Sequence, residues 1–380
     1  MTTNAIISGY VRSPFTFANK GELTKVRSDD LTALVIQGLL KQTGVAAQDI
    51  EDLLLGCAFP EGEQGLNLAR LIVLLAGLPL SVGGATINRF CGSSMQAIHT
   101  AVGAIQAGAG DVFICAGVES MSRVPMGGFN PMPNPKLYEA MPGAYMSMGE
   151  TAENVARRFE ISRKAQEEFA VESHKRAAAA RENGKLDEEI IAISVRDQTV
   201  NKDGCIRPET TAEVLATLKP AFEESGSVTA GTSSPLTDGA AAVLVVSEEY
   251  AKRNNLPCLA RIRSMAIAGC DPEIMGIGPV NATRKALKRA NLEIKDIDII
   301  ELNEAFASQA LACIKELSLD LQKINIDGGA IALGHPLGAT GARITGKAAT
   351  LLKRENKKYA LATQCIGGGQ GIATILEVCE

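Results

Sequence analysis

One architectural unit occurs twice along this chain, and that repeat constrains the fold more than any other feature. An offset of 247 residues lays LLKQTGVAAQDI at 39–50 on ALKRANLEIKDI at 286–297, with Leu40 over Leu287, Lys41 over Lys288, Val45 over Leu292, Asp49 over Asp296 and Ile50 over Ile297. Both copies read as an amphipathic helix, a short turn and an apolar strand, DLLLGC at 52–57 and IDIIEL at 297–302. Each half continues with a strand, a Gly-rich turn and a small-residue helix: GATINRF then CGSSMQAIHTAVGAI in the first, AIALG then HPLGATGARITGKAATLL in the second. Each closes with another apolar strand, VFICAG at 112–117 and YALATQC at 359–365. Strands alternating with helices of about 10–15 residues predict parallel sheets covered by helices, so each half is expected to be an α/β unit.

The halves are not contiguous. Residues 1–120, completed by about 237–258, are expected to form the first, and 259–380 the second. Residues 121–236 read as an inserted loop domain that opens with a stretch rich in Pro, Gly and Met, GGFNPMPNPKLYEAMPGAYMSMG. The methionines at 132–148 suit a mobile lid over an apolar substrate. ISRKAQEEFAVESHKRAAAARENG reads as a solvated amphipathic helix, with Ser162 as N-cap and Gly184 as C-cap. TAGTSSPLTDGAAAVLVVS at 229–247 brings the chain back to the core.

The 380 residues carry 37 glycines, no tryptophan, 4% aromatics and a net charge of −5. That balance excludes a nucleic-acid binder, which needs a basic field and stacking surfaces. Nine cysteines without a CxxC pair argue against structural zinc. Their odd number and the lack of a secretory leader predict free thiols in a reducing, cytoplasmic compartment. No apolar run is long enough for an integral membrane segment.

Cys91 falls between an apolar strand ending at Phe90 and a helix with Met95, Ile98, Val102 and Ile105 along one side. At a helix N-terminus, free N–H groups and the dipole favour a thiolate. A nucleophilic thiol needs a base, and there are three histidines. His99 is eight residues along the same helix, about 12 Å away at helical rise, and His174 sits on the helix read as solvated. His335 occupies the corresponding turn of the second half and meets Cys91 if the halves pack about a pseudo-twofold axis. Cys365 ends the last strand of that half and runs into IGGGQG, where Gly367 and its neighbours can present backbone N–H groups. Asn303 follows a strand at the sheet edge where open α/β sheets place ligands; it either positions a water or caps a turn.

INRFCGSSMQAIH at 87–99, NEAFA at 303–307, GGAIALGHPLGATGAR at 328–343 and CIGGGQG at 365–371 resemble, in order, the four signature segments of thiolases. The resemblance covers nearly the whole chain and is nearest to the degradative 3-ketoacyl-CoA thiolases (acetyl-CoA acyltransferases) of fatty-acid β-oxidation. It implies a duplicated thiolase-like fold with a layered α-β-α-β-α core and no permanently bound cofactor, coenzyme A being a substrate. It implies Cys91 as acylated nucleophile, His335 as its activator and Cys365 as the acid and base at carbon. One oxyanion hole would come from the N–H groups of Cys91 and Gly367, the other from His335 and a water on Asn303. Ser234, Arg207 and Met148 match positions near the pantetheine, the CoA nucleotide and the acyl pocket. Ser147 replaces a histidine usual in biosynthetic acetoacetyl-CoA thiolases, which favours longer chains. A homodimer or homotetramer is implied, with an enoyl-CoA hydratase/3-hydroxyacyl-CoA dehydrogenase subunit as a further partner. The competing readings are a biosynthetic thiolase, a ketoacyl synthase, against which Cys365 speaks, and a non-catalytic acyl-CoA-binding protein on the same fold.

Overall fold

The computed structural model describes residues 3–379. Its strands are β1 (Ala5–Arg12), β2 (Thr16–Phe17), β3 (Asp52–Gly56), β4 (Gly83–Ile87), β5 (Val112–Ser120), β6 (Ile193–Val195), β7 (Gln198–Val200), β8 (Thr237–Ser247), β9 (Ala260–Gly269), β10 (Ile299–Leu302), β11 (Tyr359–Ile366) and β12 (Gln370–Glu377). The α-helices are α1 (Ser28–Thr43), α2 (Leu68–Leu75), α3 (Ser93–Gln106), α4 (Pro135–Ala140), α5 (Met148–Arg158), α6 (Arg163–Glu182), α7 (Ala212–Ala216), α8 (Glu248–Asn254), α9 (Gly278–Ala290), α10 (Ala307–Leu317), α11 (Ala330–Leu333) and α12 (Leu337–Arg354).

The large sheet runs β10-β11-β12-β9-β1-β8-β5-β3-β4. Its two halves join only where Ile6 and Ile7 of β1 meet Arg261 and Ala260. Around that short seam the half-sheets fold over a shared middle layer, α3 and α12. β8 displays the logic of a strand buried on both faces. Ala240, Ala242, Leu244 and Val246 pack outward under α1 and α2, while Ala241, Val243 and Val245 pack inward on α3 and α12. The second half-sheet does the same, with α9 and α10 on its outer face. Five layers result, α-β-α-β-α.

The repeat is visible in atomic contacts. Ser94 and Gly341 are 247 residues apart in sequence and equivalent in the two halves, and here they meet. A Cβ on Gly341 would lie 2.3 Å from the backbone nitrogen of Met95, and the Ser94 hydroxyl accepts from the Ala342 N–H at 2.8 Å. Only a residue without a side chain lets the starts of α3 and α12 cross this closely. That crossing brings both Gly-rich turns to one place.

Three expectations need correcting. AIALG, read as a strand matching β4, is the one-turn helix α11. Glycines with left-handed φ at Gly328 and Gly334 bracket it, and the sheet edge beside β10 holds only an isolated bridge from Ile300 to Ile324. The helix read as solvated, α6, buries Gln166, Ala170, Ser173, His174 and Ala177 because the insertion folds back onto the second half. Its N-cap is Ser162, and its C-cap is Asn183, one residue before Gly184. The expectation of free thiols throughout fails at Cys258 and Cys379, which form a disulfide across a Cα separation of 5.9 Å. Seven cysteines stay free.

Candidate active site

Three chain turns converge at the crossing of α3 and α12. β4 ends at Ile87, and Phe90 takes a left-handed φ of 44° that turns the chain sharply into α3. Such a conformation is strained for an aromatic residue; it lifts Cys91 out of line just ahead of the helix. The thiol is 8% exposed, among Ala58, Met121 and Leu337. The Gln364 side chain donates to the Cys91 carbonyl, fixing this turn to β11 of the other half.

β11 delivers Cys365, 1% exposed, into a cluster with Ala152, Val228, Met275, Ala305, Phe306 and Met148. Past it, Gly368 and Gly369 adopt φ of 77° and 81°, the tight turn that returns the chain into β12. Phe90 and Met148 flank Gly367, since a Cβ there would stand 3.3 Å from the Met148 sulfur and 3.6 Å from the Phe90 ring.

His335 is held from three sides. Its backbone N–H donates to Thr237 Oγ1 at 3.0 Å. Its Nδ1 lies 2.6 Å from Thr340 Oγ1, and that hydroxyl donates onward to the Pro336 carbonyl. With the hydroxyl proton assigned to Pro336, Thr340 accepts from Nδ1–H and the Nε2 lone pair is left toward Asn303. Nε2 faces the Asn303 amide nitrogen at 3.4 Å. The Asn303 side-chain oxygen is buried and unpartnered, an open acceptor of the kind a bound water fills.

The electrostatics correct one further expectation. Cys91 was expected to favour a thiolate, but burial pushes its thiol up to about 12, with the Gly367 N–H opposing and the Glu119 carboxylate adding to the rise. Cys365 is likewise pushed well up, by burial and then by the proximity of Cys91. Desolvation outweighs the helix end because Cys91 precedes the helix by two residues. Both sulfurs thus rest as thiols and need a base. Burial, reinforced by the Arg343 charge, holds His335 down at about 3, so at neutral pH it is an unprotonated imidazole able to accept a proton.

Of the remaining sequence-selected residues, Ser234 donates its hydroxyl to the Ala305 carbonyl at 3.1 Å on the loop beside Asn303. Arg207 is exposed, stacked 4.9 Å over the Phe17 ring, with its N–H donating to His174. Met148 opens α5 next to the N-cap Ser147, which accepts from the Glu150 N–H. Several supports were not found from sequence. Thr340 and Thr237 hold His335, and the buried Glu119 accepts from the Ala58, Phe59 and Gly338 N–H groups, tying the loop after β3 to the start of α12. Thr340, five residues after His335 in a predicted helix start, was the one with a readable signal. No cluster of three or more His, Cys, Asp or Glu placed to hold a metal occurs among the described residues, and no helix there is long and apolar enough to cross a membrane.

Two thiols close enough to influence one another and an imidazole set against an amide, carried on two copies of an α/β unit that cross, fit an acyl-transferring enzyme of the duplicated α/β class. The family profiles described as "Thiolase, N-terminal domain" and "Thiolase, C-terminal domain" match residues 5–249 and 256–378. The chain is 47% identical over 392 residues to the 3-ketoacyl-CoA thiolase of Bacillus subtilis, covering 100% of both. It is 50% identical over 383 residues to that of Shewanella loihica, covering 98% of this chain and 99% of the relative. Among solved structures, human mitochondrial 3-ketoacyl-CoA thiolase superposes with a TM-score of 0.92 at 38% identity, covering 100% of this chain and 99% of that one. The Bacillus anthracis acetyl-CoA acetyltransferase gives the same TM-score at 41% identity and the same coverage. The human enzyme is also known in complex with CoA, again with a TM-score of 0.92. The chain belongs to the thiolase family.

Proposed function

We propose that this acyltransferase cleaves 3-ketoacyl-CoA by thiolysis, yielding acetyl-CoA and a shortened acyl-CoA. The observation that carries the reading is indirect but specific: Leu337, two residues after His335, packs with Cys91, Ala305, two after Asn303, packs with Cys365, and His335 and Asn303 stand 3.4 Å apart. His335 Nε2 takes the Cys91 proton as the sulfur attacks the C3 carbonyl. The N–H groups of Cys91 and Gly367 hold the resulting oxyanion. When the C2–C3 bond breaks, the new Nε2–H and a water on Asn303 hold the enolate oxygen, and Cys365 gives its proton to C2. Acetyl-CoA leaves. The Cys365 thiolate then takes the proton of incoming CoA, whose sulfur attacks acyl-Cys91, and the released Cys91 thiolate recovers its proton from His335.

Residues 121–236 serve in this reading as the unit that covers the CoA site. Ser234 and Arg207 line the path of the cofactor-like substrate, and Met148 lines the acyl end. The resting closure of both thiols supports a site that opens through movement of the neighbouring exposed segment, where Met132 and Met141 are 83% and 50% exposed. A second copy would cover the edge strand β4 together with the exposed Leu66 and Leu80, which supports a homodimer, or a homotetramer built from it. A hydratase/dehydrogenase subunit is a further candidate partner. A cytoplasmic setting is part of the proposal, supported by seven free cysteines and opposed by the one Cys258–Cys379 disulfide.

The test is thiolysis of 3-ketoacyl-CoAs from C4 to C16 by the purified chain. Turnover of the longer members above acetoacetyl-CoA is expected, because Ser147 leaves room where the biosynthetic type carries a histidine. The likeness to the Bacillus anthracis acetyl-CoA acetyltransferase favours the acetoacetyl-CoA reading as second choice, and a strong preference for the C4 substrate would select it. Absence of thiolysis on every chain length removes both.

A further inference from the structure

The buried charges on α12 fall into two groups of different construction. Toward its C-terminus the pairs are saturated. Lys347 bridges Glu189 at 2.9 Å and Asp327 at 2.8 Å, and Arg354 grips both Asp327 oxygens. Glu189 also accepts from Arg12, whose guanidinium takes both oxygens of Asp203. Each carboxylate oxygen there has a partner.

Arg343, one turn before Lys347, is built otherwise. It is 1% exposed and makes a single hydrogen bond, Nη1 to Glu301 Oε2 at 2.7 Å. Its Nε and Nη2, and Glu301 Oε1, are buried without a partner. An ion pair left so incomplete in a core is a poor stabiliser, and apolar residues of similar size commonly do as well or better. Stability therefore does not explain it.

Its position does. Glu301 lies two residues before Asn303, whose N–H continues the pairing of β10 with β11 onto the Thr363 carbonyl at 3.0 Å, so alternation carries both to the same face. Arg343 lies three residues after Thr340, the residue that holds His335 Nδ1, and on the same side of α12. The pair thus joins the two segments that carry the 3.4 Å contact between Asn303 and His335, and it is the only ion pair linking β10 to α12 among the described residues.

We propose that Arg343 and Glu301 are positioning residues for the enolate half of the reaction, a buried latch that sets the distance between Asn303 and His335. The proposal rests on the thiolysis reading. His335 is held separately by Thr237 and Thr340, so loosening the latch displaces Asn303 and spares the activation of Cys91.

The experiment separates the two half-reactions. Methyl hydrogen–deuterium exchange of acetyl-CoA in D2O reports enolate formation, and acetylation of Cys91 by acetyl-CoA, followed by intact mass, reports the nucleophile. E301D withdraws the carboxylate by one methylene and keeps its charge. Exchange is expected to fall about tenfold while Cys91 acetylation stays within about threefold, and thiolysis should lose kcat with KM unchanged. E301Q keeps an acceptor at full reach and should restore exchange to within about threefold of wild type. The double variant R343M/E301L leaves no bare charge; it should melt no lower than wild type yet exchange as poorly as E301D. Wild-type exchange in E301D, equal loss of exchange and acetylation, or failure of E301Q to restore exchange overturns the latch while the thiolysis reading stands. A wild-type enzyme that neither thiolyses nor exchanges overturns both together.

Discussion

Helices α3 and α12 are two copies of one element, and their sides facing away from the crossing have opposite fates. On α3 that side carries Gln96, Thr100 and Ala107, which are partly or fully exposed. The equivalent positions on α12, 247 residues later, are Arg343, Lys347 and Arg354. Arg343 and Lys347 are buried under β10 and the insertion and matched by Glu301, Glu189 and Asp327. Duplication supplied the geometry, in which two helix starts cross and two Gly-rich turns meet. Divergence of what covers each copy supplied the division of labour. In the proposed mechanism the first half supplies the nucleophile, Cys91, and the second supplies the proton-handling groups, His335 and Cys365.

The largest effect expected from breaking this asymmetry is chemical. Cys365→Ala removes the acid and base proposed for the second half and should lower steady-state thiolysis by about 10²–10⁴-fold, toward the upper end because the proposal uses that group in both half-reactions. Acylation of Cys91 should survive, since its sulfur and His335 remain. Thiolysis within about threefold of wild type would reduce Cys365 to a packing residue.

Next comes the covered face. Lys347→Met strips a cation from between Glu189 and Asp327 and should cost about 3–5 kcal/mol by urea unfolding. Thr100→Met, at the equivalent exposed site of α3, should stay within about 0.5 kcal/mol. Equal costs would contradict the comparison. At the crossing itself, Gly341→Ala drives a methyl group against the backbone of Met95 and should cost about 1–3 kcal/mol. Ser94→Ala at the matching position loses one bond to the Ala342 N–H, about 1 kcal/mol.

One further effect is shared by the two halves. Burial holds His99 on α3 and His335 before α12 both down at about 3, aided by Arg89 and Arg289 in one case and Arg343 in the other. Folded values below the ordinary one mean that the unfolded chain binds more protons. Their contribution to stability is therefore complete above about pH 6.5 and is lost as pH falls toward 3. His99→Gln should reduce the acid slope of the unfolding free energy, read from urea titrations, by about 1.4 kcal/mol per pH unit in that window. An unchanged slope would mean His99 is protonated in the fold, against the burial that holds it down.

Much of this architecture was legible because its signals are local. The paired LLKQTGVAAQDI and ALKRANLEIKDI segments set the strand–helix order, and Cys91, His335, Asn303 and Cys365 each stand at an element end beside glycine or a strand terminus. What stayed hidden depends on which surfaces later touch. AIALG has strand-like residues, yet flanking glycines and the Glu304 carboxylate, which accepts from the Ile331 N–H, turn it into α11. α6 has a charged sequence, but its Ser173 and His174 face partners from distant segments. Cys258 and Cys379 carry no pattern that pairs them across 121 residues. The resting state of Cys91 was misjudged for the same reason, since burial is a property of the assembled fold.

The central claim is that the two halves build one site in which Cys91 is the nucleophile. Its most direct test is peptide-mapped mass spectrometry after brief incubation with acetyl-CoA. One acetyl group should appear on the peptide containing Cys91 in wild type and in Cys365→Ala, and none in Cys91→Ala. A wild-type-like adduct in Cys91→Ala, or acetyl located on Cys365 in the native enzyme, would contradict the account.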